Sequence, residues 1–308
     1  MRRVIGIGET ILDILFRDNQ PQAAVPGGSV YNAAISLGRM GVNVMFISET
    51  GNDRVGEMIL QNMRDNGVST EHVNVFPEGK SPVSLAFLNE RNDAEYIFYK
   101  DYPRQRLEVK MPEITADDII MIGSYFAITP VLRDKVVELL EQAHKAGAII
   151  YYDVNFRSTH RNEAIKLMPT ILENFEYADI LRGSTEDFQN MFGLAEADAV
   201  YRKHVAFYCQ NFICTDADKD IFLRTRQVTK NYPVEPLQAV STIGAGDNFN
   251  AGVVFGLLKN QIRRNDLAEL TEADWDAIIQ CGKDFSADVC KSVNNSVSKA
   301  FAEAYKNK

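Results

Sequence analysis

The stretch S-T-I-G-A-G-D-N-F-N-A-G, from Ser241 to Gly252, has residue types and spacing suited to chemistry on an anionic group. Gly244, Ala245 and Gly246 are small enough to bring backbone amides against a ligand and to tolerate unusual dihedrals. Behind them, the spacing of Phe249, Val253, Val254 and Leu257 predicts a helix. A glycine-rich turn opening a helix directs N–H groups and the positive end of the helix dipole at one point, which makes an anion hole. Asp247 stands beside that hole. A carboxylate there repels a phosphate, so its chemical use is to take a proton from a hydroxyl that attacks the phosphate. The bland alternative is a loop-to-helix turn in which Asp247 merely suits the dipole.

A second string, Pro26-Gly27-Gly28-Ser29-Val30-Tyr31-Asn32-Ala33-Ala34, runs into a helix carrying Ile35, Leu37 and Met40 and closing at Gly41. Two glycines ahead of small residues let a ligand touch the backbone, and Asn32 offers both a donor and an acceptor. Upstream, Val4 to Gly8 reads as a short apolar strand ending at Glu9, with Asp13 just beyond. G-I-G-E-T-I lacks the third glycine of a dinucleotide fingerprint and no helical pattern follows, so that reading is rejected. Asp153-Val154-Asn155-Phe156-Arg157 lies past the all-apolar strand Ala148 to Tyr152, at the strand end where open α/β sheets bind ligands.

The string from Ser241 to Phe249 resembles the second signature of the PfkB/ribokinase family of carbohydrate kinases, D-T-x-G-A-G-D-x-F, with Ser241 in place of the leading Asp. The string from Gly27 to Ala34 resembles the first signature, G-G-x-x-x-N-x-A. Thr50 to Gly56 fits the family's G-x-D-x-x-G layout, and D-x-N-x-R at 153–157 resembles the fructokinase and 2-keto-3-deoxygluconate kinase branches. The resemblance covers nearly the whole chain. It implies an α/β fold of the ribokinase-like, doubly wound kind: a mainly parallel sheet with helices on both faces and a small β-sheet lid. It implies ATP-dependent phosphorylation of a sugar hydroxyl, with Asp247 as base and Gly244, Ala245 and Gly246 as the anion hole. It assigns the sugar to Asp13, Gly27, Gly28, Asn32, Asn155 and Arg157, and the nucleotide to Thr215, Ala217, Thr242 and Gly246. Glu186 or Asp187 would serve a hydrated Mg²⁺, which keeps several of its waters.

The chain also departs from the family pattern. Ser184 and Asp187 stand for the Asn and Glu of N-x-x-E, and both glycines of T-x-G-x-x-G are absent, as Ala217 and Asp220. Ser241 replaces an Asp that often helps hold a monovalent cation, which argues against potassium activation. These departures motivate the alternative of a sugar-binding regulatory protein with a degenerate kinase site.

Several elements must position these residues. Val83, Leu85 and Phe87 alternate with smaller residues, followed by a turn at Glu90-Arg91-Asn92-Asp93 and a second strand at Tyr96 to Tyr99. The resemblance makes this hairpin part of a lid formed from about 11–25 and 73–109, and implies a homodimer through it. Lys100, Arg104 and Arg106 after the hairpin read as a solvated basic turn, or as partners for an anionic group on the substrate. Further on come the apolar strand Ile119 to Ile122 and a helix with Thr129 as cap and Pro130 in its first turn. That helix has an inner stripe of Leu132, Val136, Leu139, Leu140 and Ala143, and ends at Gly147. Strands follow at Ala178 to Leu181 and Phe212 to Thr215, then a helical, polar tail from Trp275.

The 308 residues can bury a sizeable core and are read as a single domain over 1–308. The net charge of −9, with no long basic run, disfavours nucleic acid. The run Ile119 to Leu132 is too short to span a bilayer, so no membrane role is expected. Four cysteines without disulfide or metal spacing suit a reducing cytoplasm, and the four histidines show no metal spacing.

Overall fold

Ile119–Gly123 and Ile149–Asp153 are strands buried at every position, as unbroken apolar segments inside a parallel sheet must be. They belong to a computed structural model that describes residues 2–88 and 94–306. The turn expected at Glu90 to Asp93 lies outside the described residues. The chain divides into two compact units.

The first unit contains Glu113–Pro236 and Val254–Gln280. Its strands Ile119–Gly123, Ile149–Asp153, Ile180–Ser184 and Asn211–Asp216 run parallel, each beside the next. Helices Arg133–Ala146, Ala164–Tyr177 and Thr185–Phe192 alternate with them, the βαβ pattern that a parallel sheet requires. The expected stripe is buried in full: Leu132, Val136, Leu139, Leu140 and Ala143. Gly147 closes that helix in the left-handed region at φ 77°. Thr129 differs from expectation. It makes no side-chain cap, because a 3₁₀ turn at Pro130–Leu132 comes between it and the α-helix. Asp220–Arg224 and Thr229–Pro233 extend the sheet antiparallel, an extension the sequence reading did not contain.

The second unit contains Arg3–Pro112, Leu237–Val253 and Cys281–Lys308. Arg3–Ile7 pairs parallel with Asn43–Gly51, which also pairs with Val68–Ser69 and Val73–Phe76. A separate four-stranded sheet has the order Gln20–Gly27, Ile11–Arg17, Lys80–Leu88, Ala94–Asp101. This is the expected lid, with Ile11–Arg17 joined parallel to the hairpin. Val73–Phe76 lies outside it, because its backbone hydrogen bonds go to Asn43–Gly51.

The G-x-D-x-x-G motif organises the entry to helix Arg54–Asp65. Asp53 caps it through the Gly56 amide, and a Cβ on Gly56 would meet the Gly51 carbonyl. Burial pushes the Asp53 pKa up, but hydrogen bonds from the Ser81 amide, the Gly56 amide and the Ser81 hydroxyl outweigh it and hold the carboxyl below its ordinary value. Two cations of the basic turn are neutralised within this unit. Lys100 pairs with Glu9 at 2.7 Å. Arg106 pairs with the buried Glu49 and stacks 3.5 Å over Tyr102. Those two cations are committed to protein carboxylates.

Candidate active site

Helix Ala245–Lys259 begins inside the glycine-rich turn and buries Phe249, Val253, Val254 and Leu257, as their spacing predicts. Gly252 serves packing. A Cβ there would collide with the Cys281 carbonyl of helix Glu272–Val289. Gly244 has φ +79°, which suits glycine, and its missing Cβ would lie 3.0 Å from the Asn295 carbonyl oxygen. The turn Gly244-Ala245-Gly246 is half-buried. A helix's first turn carries N–H groups that intrahelical bonds do not use, which suits it to an anion, although the Ala245 amide here donates to the Thr242 carbonyl at 3.2 Å. Asp247 is 8% exposed in that first turn.

The first signature meets this turn. Gly28 is the N-cap of helix Ser29–Arg39 at φ +128°, and a Cβ there would collide with the Glu9 carbonyl. Asn32, one turn in, is buried and donates from Nδ2 to Asp247 Oδ2 at 2.8 Å. Its Oδ1 is buried with no protein partner. Asp13 lies inside strand Ile11–Arg17. Its neighbour across the parallel ladder, Ser84, donates to its Oδ1. A Cβ on Gly27 would collide with Asp13 Oδ2, so glycine at 27 lets that carboxylate lie against the backbone. Asp13, Gly27, Gly28, Asn32, Gly244 and Asp247 thus form one constellation. Below it, Asn248 Nδ2 donates to the carbonyls of Gly244 and Asn295, and Asn248 also bonds the Ser36 hydroxyl. Thr242 is exposed.

The remaining sequence-selected residues stand at the strand ends of the other unit. Asp153, Arg182 and Thr215 lie on three adjacent parallel strands. Arg182 is buried and donates to Asp153 at 3.0 Å and to the Thr215 hydroxyl at 2.6 Å. Burial alone would lower the Arg182 pKa, but Asp153 reverses the sign and keeps it charged. Asn155 takes a left-handed φ of +39° and donates to Ser124, whereas Arg157 is exposed. Ser184 and Asp187 form a capping box on helix Thr185–Phe192, so the divergent S-x-x-D performs the reciprocal bonding that its spacing permits. Glu186 is exposed on the same turn. Ala217 keeps φ +45° where a glycine was expected. Its exposed turn joins Asn211–Asp216 to Asp220–Arg224.

Sequence reasoning missed Ser84, Arg182, Asn248 and Asn295. Each acts through a partner distant in the chain, so no local spacing marked it.

Residues 2–298 match the pfkB family of carbohydrate kinases, and the chain belongs to that family. It is a carbohydrate kinase, a phosphotransferase acting on a sugar hydroxyl with ATP as the donor. It is 27% identical over 284 residues to a protein named fructokinase-1 from Oryza sativa subsp. japonica, covering 88% of this chain and 87% of that one. A crystal structure of fructokinase from Vibrio cholerae, bound to fructose, ADP and calcium, is similar with a TM-score of 0.83 at 19% identity, over 99% of each chain. Aminoimidazole riboside kinase from Salmonella enterica, complexed with aminoimidazole riboside and an ATP analogue, gives 0.81 at 20% identity, over 99% of each. The fold is the ribokinase-like one expected: mostly parallel strands, helices on both sides and a separate small sheet. Among the described residues no helix is long and apolar enough to cross a membrane.

Proposed function

We propose that the acceptor is fructose or a closely related sugar and that Asp247 is the base. The observation that carries this reading is the bond from Asn32 to Asp247 in the first helical turn after Gly244. It puts a fixed carboxylate, an anion hole and the glycine pair in one place. Asp13, Gly27, Gly28 and Asn32 orient the sugar, with Asn155 and Arg157 as further contacts. The hydroxyl oxygen bonds to the γ-phosphorus, the bond to the ADP leaving oxygen breaks, and the proton passes to Asp247. A carboxylate is a weak base toward an alcohol. The proton therefore moves late, when bonding to phosphorus has acidified the hydroxyl. Amides of the glycine-rich turn stabilise the transferring charge, and positioning supplies much of the rest.

Thr215, Ala217, Thr242 and Gly246 serve the nucleotide. A Mg²⁺ held partly by the substrate's phosphates needs only one or two protein carboxylates. The exposed Glu186 fits that donor set, and Asp187 beside it has one oxygen engaged in the capping box. The ion would neutralise phosphate charge during transfer. Fructose is supported by the rice and Vibrio relatives and by the D-x-N-x-R string. A homodimer through the lid is supported by strand Ala94–Asp101, at the end of its sheet, which exposes Ile97, Phe98 and Tyr99. The cysteines at 209, 214, 281 and 290 carry unbridged thiols, which suits a reducing cytoplasm.

The test is ADP release from Mg-ATP with fructose, 2-keto-3-deoxygluconate, ribose, adenosine and fructose phosphates. Turnover on fructose, reduced on the order of 100-fold or more in Asp247→Asn, is the expected result. A variant within a few-fold of wild type overturns the role of Asp247. Sugar binding without turnover across the panel would favour a regulatory protein.

A further inference from the structure

We propose that Asn295 is a sugar-binding residue whose side-chain amide hydrogen-bonds an acceptor hydroxyl next to Asp13. The assignment rests on the kinase reading above. Asn295 lies in the loop between helices Glu272–Val289 and Lys299–Lys306. It is 3% exposed, and neither its Nδ2 nor its Oδ1 has a hydrogen-bond partner. A buried amide with both ends unsatisfied is rare in folded proteins, because its desolvation goes uncompensated. This one is aimed at the sugar constellation. Its Nδ2 lies 3.3 Å from the point where a Cβ on Gly27 would sit, and the same point collides with Asp13 Oδ2. The absent Gly27 side chain thus lets Asp13 and Asn295 approach the same stretch of backbone. Asn32 adds a second buried acceptor without a partner, its Oδ1.

The backbone around Asn295 is clamped while its side chain is left unpaired. Asn248 Nδ2 donates to the Asn295 carbonyl at 2.8 Å, Ser296 Oγ donates to the Asn32 carbonyl at 3.3 Å, and the Val297 amide donates to Ser36 Oγ at 3.0 Å. The loop is thereby fastened to both signatures. Such fastening sets the amide in place before a ligand arrives, which lowers the entropy lost on binding. Two donors and an acceptor on an amide match a sugar hydroxyl, which both donates and accepts. Asn295 also borders a cavity of about 90 Å³ beside Val25, Pro26 and Asn294. A residue serving only that cavity would affect stability and leave sugar affinity alone.

The test is calorimetric binding of the sugar panel above to wild type, Asn295→Ala and Asn295→Ser, with KM for sugar and for ATP measured in parallel. For the sugar that wild type binds, Asn295→Ala is expected to raise Kd and KM about tenfold, the scale of one hydrogen bond. KM for ATP should stay within twofold, and Asn295→Ser, which restores one polar group, should recover part of the loss. A sugar Kd within twofold of wild type in folded Asn295→Ala overturns the assignment and leaves the kinase reading standing. So does an equal rise in both KM values. If Asn295→Ala does not fold, an unchanged Kd in Asn295→Ser overturns it instead. A wild type that binds no sugar of the panel overturns the kinase reading, and this assignment with it.

Discussion

Asn32 Nδ2 lies 2.8 Å from Asp247 Oδ2, a bond between residues 215 apart in the chain. It ties the helix that begins at the glycine pair to the carboxylate proposed as the base. A base whose carboxylate rotates freely spends little time at the reacting hydroxyl, so under the proposed mechanism this bond is a catalytic restraint.

Asn32→Ala is therefore expected to lower kcat by about tenfold, less than the roughly 100-fold of Asp247→Asn, because it disorients the base without removing it. Steady-state kinetics on fructose reads both numbers. A rise in sugar KM with kcat untouched would assign Asn32 to the sugar alone.

Ala217 holds a left-handed φ of +45° where the family pattern has glycine. An L-residue there costs about 1–2 kcal/mol, while a glycine costs about 0.4–1 kcal/mol in unfolded-chain entropy. The strain is the larger, so Ala217→Gly should stabilise the protein by about 0.5–1 kcal/mol. Urea unfolding checks this, and destabilisation would show that the Ala217 methyl does more than bear strain.

Asp53 carries a pH dependence. Burial opposes its charge, but the Ser81 and Gly56 hydrogen bonds prevail and leave its folded pKa below its unfolded value. Between those values the unfolded chain binds more protons. Its contribution is thus fully present above about pH 3.9 and is lost as pH falls through the folded pKa. The stability gap between wild type and Asp53→Asn should be widest near neutrality and shrink by pH 3. Urea midpoints that keep a constant gap would refute it.

At the lid, Phe98 is 46% exposed on an end strand between Ile97 and Tyr99. Phe98→Glu places a charge on the proposed two-fold contact and should shift the protein from dimer to monomer at micromolar concentration. Sedimentation velocity decides. A dimer that survives the substitution places the contact elsewhere.

Much of the site was legible because its parts are local. A glycine turn followed by helical apolar spacing identified Asp247, and the glycine pair ahead of a small-residue helix identified Asn32. Unbroken apolar runs marked the parallel strands, and one stripe from Leu132 to Ala143 marked a helix face. Less was legible where neighbours in space are strangers in sequence. Asp13 stood apart from any partner in the sequence until Ser84 appeared across the ladder from it. Arg106 and Lys100 read as free cations until Glu49 and Glu9 met them.

The sequence by itself determined which residues are small, charged or apolar at helical and strand spacing, and hence the family, the order of most elements and the carboxylate proposed as the base. Backbone propensity and periodicity act over a few residues, so they can be read along the chain. Tertiary structure alone decided which oxygen of Asp247 is held, why Gly27 must lack a side chain, and that Asn295 is buried with its amide unpaired. Those facts depend on distances between segments far apart in the chain, and only packing sets such distances.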